Sequence, residues 1–170
     1  MPDDWIRQWG DPTLRAVAAP VALLDDLLVM QVRRMQATLL AADGAGIAAT
    51  QVGNLRRVFV FRFTPEAPVD AIVNPRIVAA SDAHATFVEG CLSFMAVSVA
   101  VSRPEAVRVQ GFGLDGRERV VEAEGPNASL LQHEIDHLDG VLTLDRATPQ
   151  ERRRAVAVLL ESAAPESRAA

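Results

Sequence analysis

The run Gln132-His133-Glu134-Ile135-Asp136-His137-Leu138-Asp139-Gly140 constrains this chain more than any other stretch. Histidines four residues apart lie on one face of an α-helix, one above the other, and so form a metal clamp. Glu134 projects about 100° round the helix from His133 and reaches the open side of a cation held by the pair, which is where a general base belongs. A polar helix can also carry this string as a solvated face with no metal, so the rest of the chain has to supply a third ligand. A third histidine in the H-E-x-x-H-x-x-G-x-x-H pattern would fall at position 143; Gly140 matches that pattern, but the residue there is Thr143. Glu161, on a helix expected downstream, is a second source, and Cys91, upstream, is the better one.

A chain of 170 residues fits one domain with its own core, here placed at 1–164, with a disordered tail at 165–170. Its single cysteine excludes an internal disulfide. No apolar run approaches the roughly 18 residues of a membrane helix, and the acidic start Met1-Pro2-Asp3-Asp4-Trp5 lacks the regions of a signal peptide, so a cytoplasmic location is expected. A net charge of -5 without a basic block argues against DNA or RNA as the main partner, because phosphate neutralisation supplies most of such affinity. Membranes are not expected as partners either, and oligomeric state is not legible.

Residues 1 to 24 read as an irregular arm whose Trp5, Ile6, Trp9, Leu14 and Val17 pack elsewhere. Asp25 or Asp26 caps a helix with Leu28, Val32, Met35, Leu39 and Ala42 on one face, closed by Gly44; Met30 and Met35 are assigned to the core. Gly44 to Gly53 reads as a small-residue loop, in the wrong order for a dinucleotide loop, where glycines admit a ligand and Gln51 offers an amide. Strands are expected at Val58 to Phe63, at Ala71 to Val73 ending before Asn74-Pro75, and as a short run at Arg76 to Ala79. Val97, Val99 and Val101 alternate with small polar residues as in a half-buried strand, with Cys91 where a strand begins. Asp115-Gly116 joins a hairpin of Val107 to Phe112 and Arg117 to Ala123. Pro126 opens and Gly140 closes the histidine helix, and Thr148, Pro149 and Glu151 start a last helix that runs to about Ala163. Lone His84 reads as a surface residue. The fold class is α+β, with antiparallel sheets around a central metal-binding helix.

Cys91 has three readings on its own: the third ligand of a Cys-His-His site with a fourth position open, a small buried hydrophobe, or a nucleophile with histidine as base. Three runs, Gly44-Ala45-Gly46-Ile47-Ala48-Ala49-Thr50-Gln51, Glu89-Gly90-Cys91-Leu92-Ser93 and the histidine run, together resemble the three signature motifs of peptide deformylases, in the same order and at similar spacing. Gly10-Asp11-Pro12-Thr13-Leu14-Arg15 and Asn74-Pro75 extend the likeness over about residues 5 to 146.

The resemblance implies a single catalytic domain that removes the N-formyl group from the starting methionine of new bacterial polypeptides, in the cytoplasm and at or near the ribosome surface. It implies a divalent cation, commonly Fe(II) and replaceable by Zn, Ni or Co, held by Cys91, His133 and His137. A metal-bound water attacks the formyl carbonyl, Glu134 carries its proton to the leaving amine, and the Gln51 amide and Leu92 backbone N–H hold the oxygen as it gains charge. Gly46, Ile47 and Gly90 grip the peptide main chain, and Ser129 stands near the methionine pocket. Glu89, Arg103 and Asp136 are read either as support behind the ligands or as structural residues. Two departures stand out: Met95 replaces the usual proline after Leu92-Ser93-Phe94, and Ser98 replaces an arginine that many bacterial members place near the substrate. These leave two further readings open, an amidase of the same mechanism for another N-acyl substrate and a non-catalytic binding protein on the same fold.

Overall fold

The computed structural model describes residues 5–163, so the expected tail at 165–170 lies outside the described residues. Its α+β architecture is set by one five-stranded antiparallel sheet, ordered β1-β2-β3-β6-β7, and one two-stranded sheet, β4-β5. The strands are β1 Gly46–Ala48, β2 Val58–Phe61, β3 Asp70–Ala80, β4 His84–Gly90, β5 Ser98–Pro104, β6 Ala106–Phe112 and β7 Glu118–Glu124. The helices are α1 Asp26–Ala41, α2 Gly125–Leu138, α3 Thr143–Arg146 and α4 Pro149–Ala163. No helix among the described residues is long and apolar enough to cross a membrane.

β2 is an unbroken apolar run because both of its faces are covered. Phe59 and Phe61 join Ala128, Leu131, Ile135 and Leu138 of α2, whereas Val58 and Val60 join Leu28, Val32, Met35 and Leu39 of α1. Each such side chain contributes roughly 1.5 to 3 kcal/mol when withdrawn from water. The apolar positions of α2 recur at helical spacing, so its other side, carrying Ser129, His133, Glu134 and His137, faces the small sheet. A third cluster ties that sheet to the C-terminal helices through Phe94, Val97 and Val99 with Leu144, Ala155 and Leu159.

Asp25 caps α1, its side chain accepting from the Leu28 N–H. Several local expectations are corrected. The left-handed residue after α1 is Asp43 (φ 48°), not Gly44, and Gly46–Ala48 forms an edge strand inside the expected loop. Asn74 also takes a positive φ (52°), but the chain continues as one long strand through Pro75, with the ladder shifting register between Val73 and Arg76. Cys91 follows the end of β4 instead of opening a strand. Met30 is 66% exposed because it lies about 200° round α1 from Leu28. Trp5 and Val17 are also exposed, and the Trp5 ring carries the Arg34 guanidinium on its face.

Gly140 ends the histidine helix with φ 71°, and a Cβ there would stand 2.5 Å from the Arg15 carbonyl oxygen. Gly125 has φ 56° and nothing within 4 Å of its Cβ position. Gly125→Ala is therefore expected to lose about 1 kcal/mol in urea unfolding from backbone strain alone, and Gly140→Ala about 2 kcal/mol or more. Equal losses would show that the Arg15 backbone yields freely.

Candidate metal centre

Because His133 and His137 stand one turn apart on α2, their Nε2 atoms converge to 3.2 Å, and Cys91 Sγ lies 3.2 Å from His137 Nε2. The three donor atoms lie within 4.8 Å of one another, and all three residues are buried. The hydrogen bonds behind them determine which atoms face inward. His133 Nδ1 lies 3.0 Å from Glu89 Oε2, so that nitrogen carries the proton and Nε2 presents its lone pair. Two N–H donors, Gln51 Nε2 at 3.5 Å and Ser93 N at 3.4 Å, point at Cys91 Sγ, an environment that suits sulfur bearing negative charge.

This donor set fits a divalent cation. The Glu89 contact turns the His133 Nε2 lone pair inward, His137 Nδ1 has no hydrogen-bond partner among the described residues, and one positive ion would be held by both Nε2 atoms and the Cys91 sulfur together. The protonation tendencies express the same conflict. Burial opposes charge on both rings, yet the Cys91 and Glu89 contacts push His133 well above the ordinary histidine range. His137 is held well below it by burial and by the facing His133.

Glu89 is the hub of the support behind the ligands. Arg103 grips it with Nε and Nη2, Ser129 Oγ donates to Oε1 at 2.6 Å, and His133 takes the remaining side. Burial works to raise the Glu89 carboxyl, but the bonds from His133 and Arg103 outweigh it and hold the group at about 2. Arg103 Nη1 also reaches Asp136 Oδ2 at 2.8 Å, and Asp136 is gripped from outside by Arg146. Glu134 stands against β1: a Cβ on Gly46 would lie 2.5 Å from its Oε1, so glycine is required there for close approach. Its Oε2 has no hydrogen-bond partner among the described residues, and burial raises the carboxyl to about 7.

The centre lies in a cleft of about 630 Å³, lined by Gly44–Gly46, Thr86–Leu92, Gln51, Met95, Pro126, Ser129, Leu130, His133 and Glu134. Two strand edges that are unpaired among the described residues line it. Arg62 N donates to Ala45 O, so the alternation of an antiparallel ladder turns the N–H and C=O of Gly46 away from β2. The same count from the Glu105 N to Ala83 O bond turns those of Thr86, Val88 and Gly90 away from β5. Gln51, in the short 3-10 turn Ala49–Val52, accepts from Ala48 N at 2.8 Å, which fixes its amide with Nε2 toward Cys91 and Ser93.

The structure thus brings together Cys91, His133, His137, Glu134, Gln51, Leu92, Gly46, Gly90, Ser129, Glu89, Arg103 and Asp136. Ile47 stands apart, with its side chain fully buried in the α1 core. Met95 is at the cleft mouth, whereas Ser98 is not among the lining residues and its carbonyl accepts from Arg154. Sequence reasoning missed Ser93, Arg146 and Thr143. Thr143 holds the place of a third histidine in the extended helix motif, and its Oγ1 lies 3.3 Å from His133 Nδ1.

A family model described as polypeptide deformylase matches residues 3–153. The chain is 43% identical over 145 residues to the peptide deformylase of Brucella suis biovar 1 (strain 1330), covering 84% of this chain and 83% of that protein. It is 42% identical over 147 residues to that of Thermotoga neapolitana, covering 86% and 88%. Among solved structures, a peptide deformylase from Legionella pneumophila matches with TM-score 0.87 at 34% identity over 94% of this chain and 98% of that one. One from Synechococcus elongatus, in complex with actinonin, matches with TM-score 0.85 at 36% identity over 92% and 86%.

Cys91→Ser is expected to lower metal occupancy, because a hydroxyl holds borderline cations less well than a thiolate. Elemental analysis of the purified variant checks this. Full occupancy in an inactive Cys91→Ser protein would remove Cys91 from the ligand set and revive it as a nucleophile.

Proposed function

The chain belongs to the peptide deformylase family, and from that premise we propose a residue-level account in which Cys91, His133 and His137 hold one iron(II) ion and the cleft takes the formylated end of a new polypeptide. The protein is a metal-dependent hydrolase that removes the N-formyl group from an N-terminal formyl-methionine. The observation that carries the account is the convergence of Cys91 Sγ and the two Nε2 atoms beside Glu134, in a cleft between two free strand edges.

When bound, the divalent cation supplies Lewis acidity and lowers the pKa of a coordinated water. Glu134 takes a proton from the attacking water through Oε2 and delivers it to the leaving amine. Burial lifts its carboxyl to about 7, and a bound cation would draw it lower, so that it would serve as a base near neutrality. Gln51 Nε2, unable to flip because Oε1 is held by Ala48 N, donates to the carbonyl oxygen as charge develops there, together with the Leu92 N–H. The outward N–H and C=O groups of Gly46 and Gly90 bind the peptide main chain as an added strand. The methionine side chain lies against Val88, Pro126 and Leu130, with Ser129 contributing an oxygen whose hydrogen is committed to Glu89. Formylated ends occur on chains leaving the ribosome, so we assign the encounter to the cytoplasm.

Glu134→Gln is expected to keep its metal and to lose about 10²- to 10⁴-fold in formate release from a formyl-Met peptide. In the unaltered enzyme, kcat/KM should fall as pH drops through the Glu134 pKa, below the metal-free value of about 7, because the base must be unprotonated. A Glu134→Gln rate within about tenfold of the parent would take the proton-carrying role away from Glu134.

A further inference from the structure

Arg62 directly follows β2, within an apolar run, and its side chain is only 7% exposed. A guanidinium in that position needs acceptors, and all of those it finds lie beyond α1. Nε donates to Gly44 O at 2.8 Å, Nη1 to Pro65 O at 2.8 Å and Nη2 to Asp43 Oδ1 at 2.7 Å, while its backbone N donates to Ala45 O at 2.8 Å. The side chain therefore ties down Asp43 and Gly44 of the strap joining α1 to β1, and the backbone N, which any residue but proline would supply, holds Ala45.

That strap forms one wall of the cleft, and its other side is closely packed against side chains. A Cβ on Gly44 would stand 2.7 Å from Leu39 Cδ1 and 3.0 Å from Leu92 Cδ1, and Gly46 is packed against Glu134. Asp43 holds φ 48°, an unfavourable conformation for a residue with a side chain, and its carboxylate is 90% exposed except for the Arg62 contact. The strap is wedged between Arg62 behind it and Leu92 and Glu134 in front.

We infer that Arg62 is a positioning residue for substrate binding: by clamping Asp43 and Gly44 with its side chain it keeps the Gly46 N–H and C=O facing the cleft, where an extended peptide would pair with them. It touches neither substrate nor cation in this role. The inference rests on the reading of the cleft as the peptide site. An arginine that only stabilised the end of α1 would leave the binding of peptide to folded molecules unchanged.

The test is steady-state formate release from a formyl-methionyl tripeptide, with metal content measured in parallel. Arg62→Met should raise KM about tenfold, the loss of one to two main-chain hydrogen bonds. Turnover per metal-loaded chain should stay within about threefold, since the ligands and Glu134 remain. Arg62→Lys, which keeps the charge but cannot span three acceptors, should fall between the two. KM is blind to the fraction of active molecules, so a drop in maximal rate at unchanged KM would overturn the inference and leave Arg62 a structural residue. If Arg62→Met does not fold, Asp43→Asn serves instead: asparagine tolerates the positive φ, and the exposed site spares the core. It should raise KM about two- to threefold, the loss of one charged leg of the clamp, and an unchanged KM in it would also overturn the inference. Absence of formate release from the unaltered protein would strike the functional reading itself, a result distinct from either of these.

Discussion

The contact on which the site depends is the one between Glu89 and His133. Glu89 is the penultimate residue of β4 and His133 lies on α2, so this hydrogen bond joins the small sheet to the helix that carries two of the three donors. It is stable only because Arg103 on β5 neutralises the buried carboxylate with a two-pronged grip, while Asp136 and Arg146 continue the alternation of charge outward. Removing one partner from such a buried set leaves an uncompensated charge and costs about 3 to 5 kcal/mol. With Glu89 held at about 2, its contribution to stability is complete above the unfolded carboxylate range near 4.5 and is lost as pH falls toward 2.

Packing then places the chemistry. The apolar side of α2 is committed to the large sheet, which turns His133, Glu134 and His137 toward the cleft with little freedom. Close approach depends on two glycines, Gly46 against Glu134 and Gly140 against the Arg15 backbone, so the helix is fixed both along its length and at its end. The cleft itself follows from topology, because β1 and β4 each end a sheet and, among the described residues, leave one edge unpaired along the cleft.

Much of this was legible from short-range pattern. The i, i+4 histidines, the Asp25 cap, the Asp115-Gly116 turn and the Pro126 to Gly140 span each encode local geometry, and the structure realises them locally. What escaped depends on partners distant in sequence. β1 is three residues long and exists because β2 offers it a ladder, which no periodicity in a Gly-Ala stretch announces. β3 runs through Asn74-Pro75 because Asn74 takes a positive φ while its side chain holds Val21 through both N–H and C=O. Arg62 sits inside an apolar run, and its burial is explained by acceptors that the sequence pattern does not announce, on Asp43, Gly44 and Pro65. Thr143 and Arg146 acquire their contacts with His133 and Asp136 when the chain turns back after Gly140.

What has to be decided is whether one cation, held by Cys91, His133 and His137, supports Glu134 as the base toward a formyl amide. Titrating metal-free protein with iron(II) under anaerobic conditions, while following formate release from a formyl-methionyl peptide, addresses it directly. Activity should rise linearly with added metal and break sharply at one equivalent per chain. A chain that binds its full equivalent yet releases no formate, or one whose activity ignores the metal, would contradict the account.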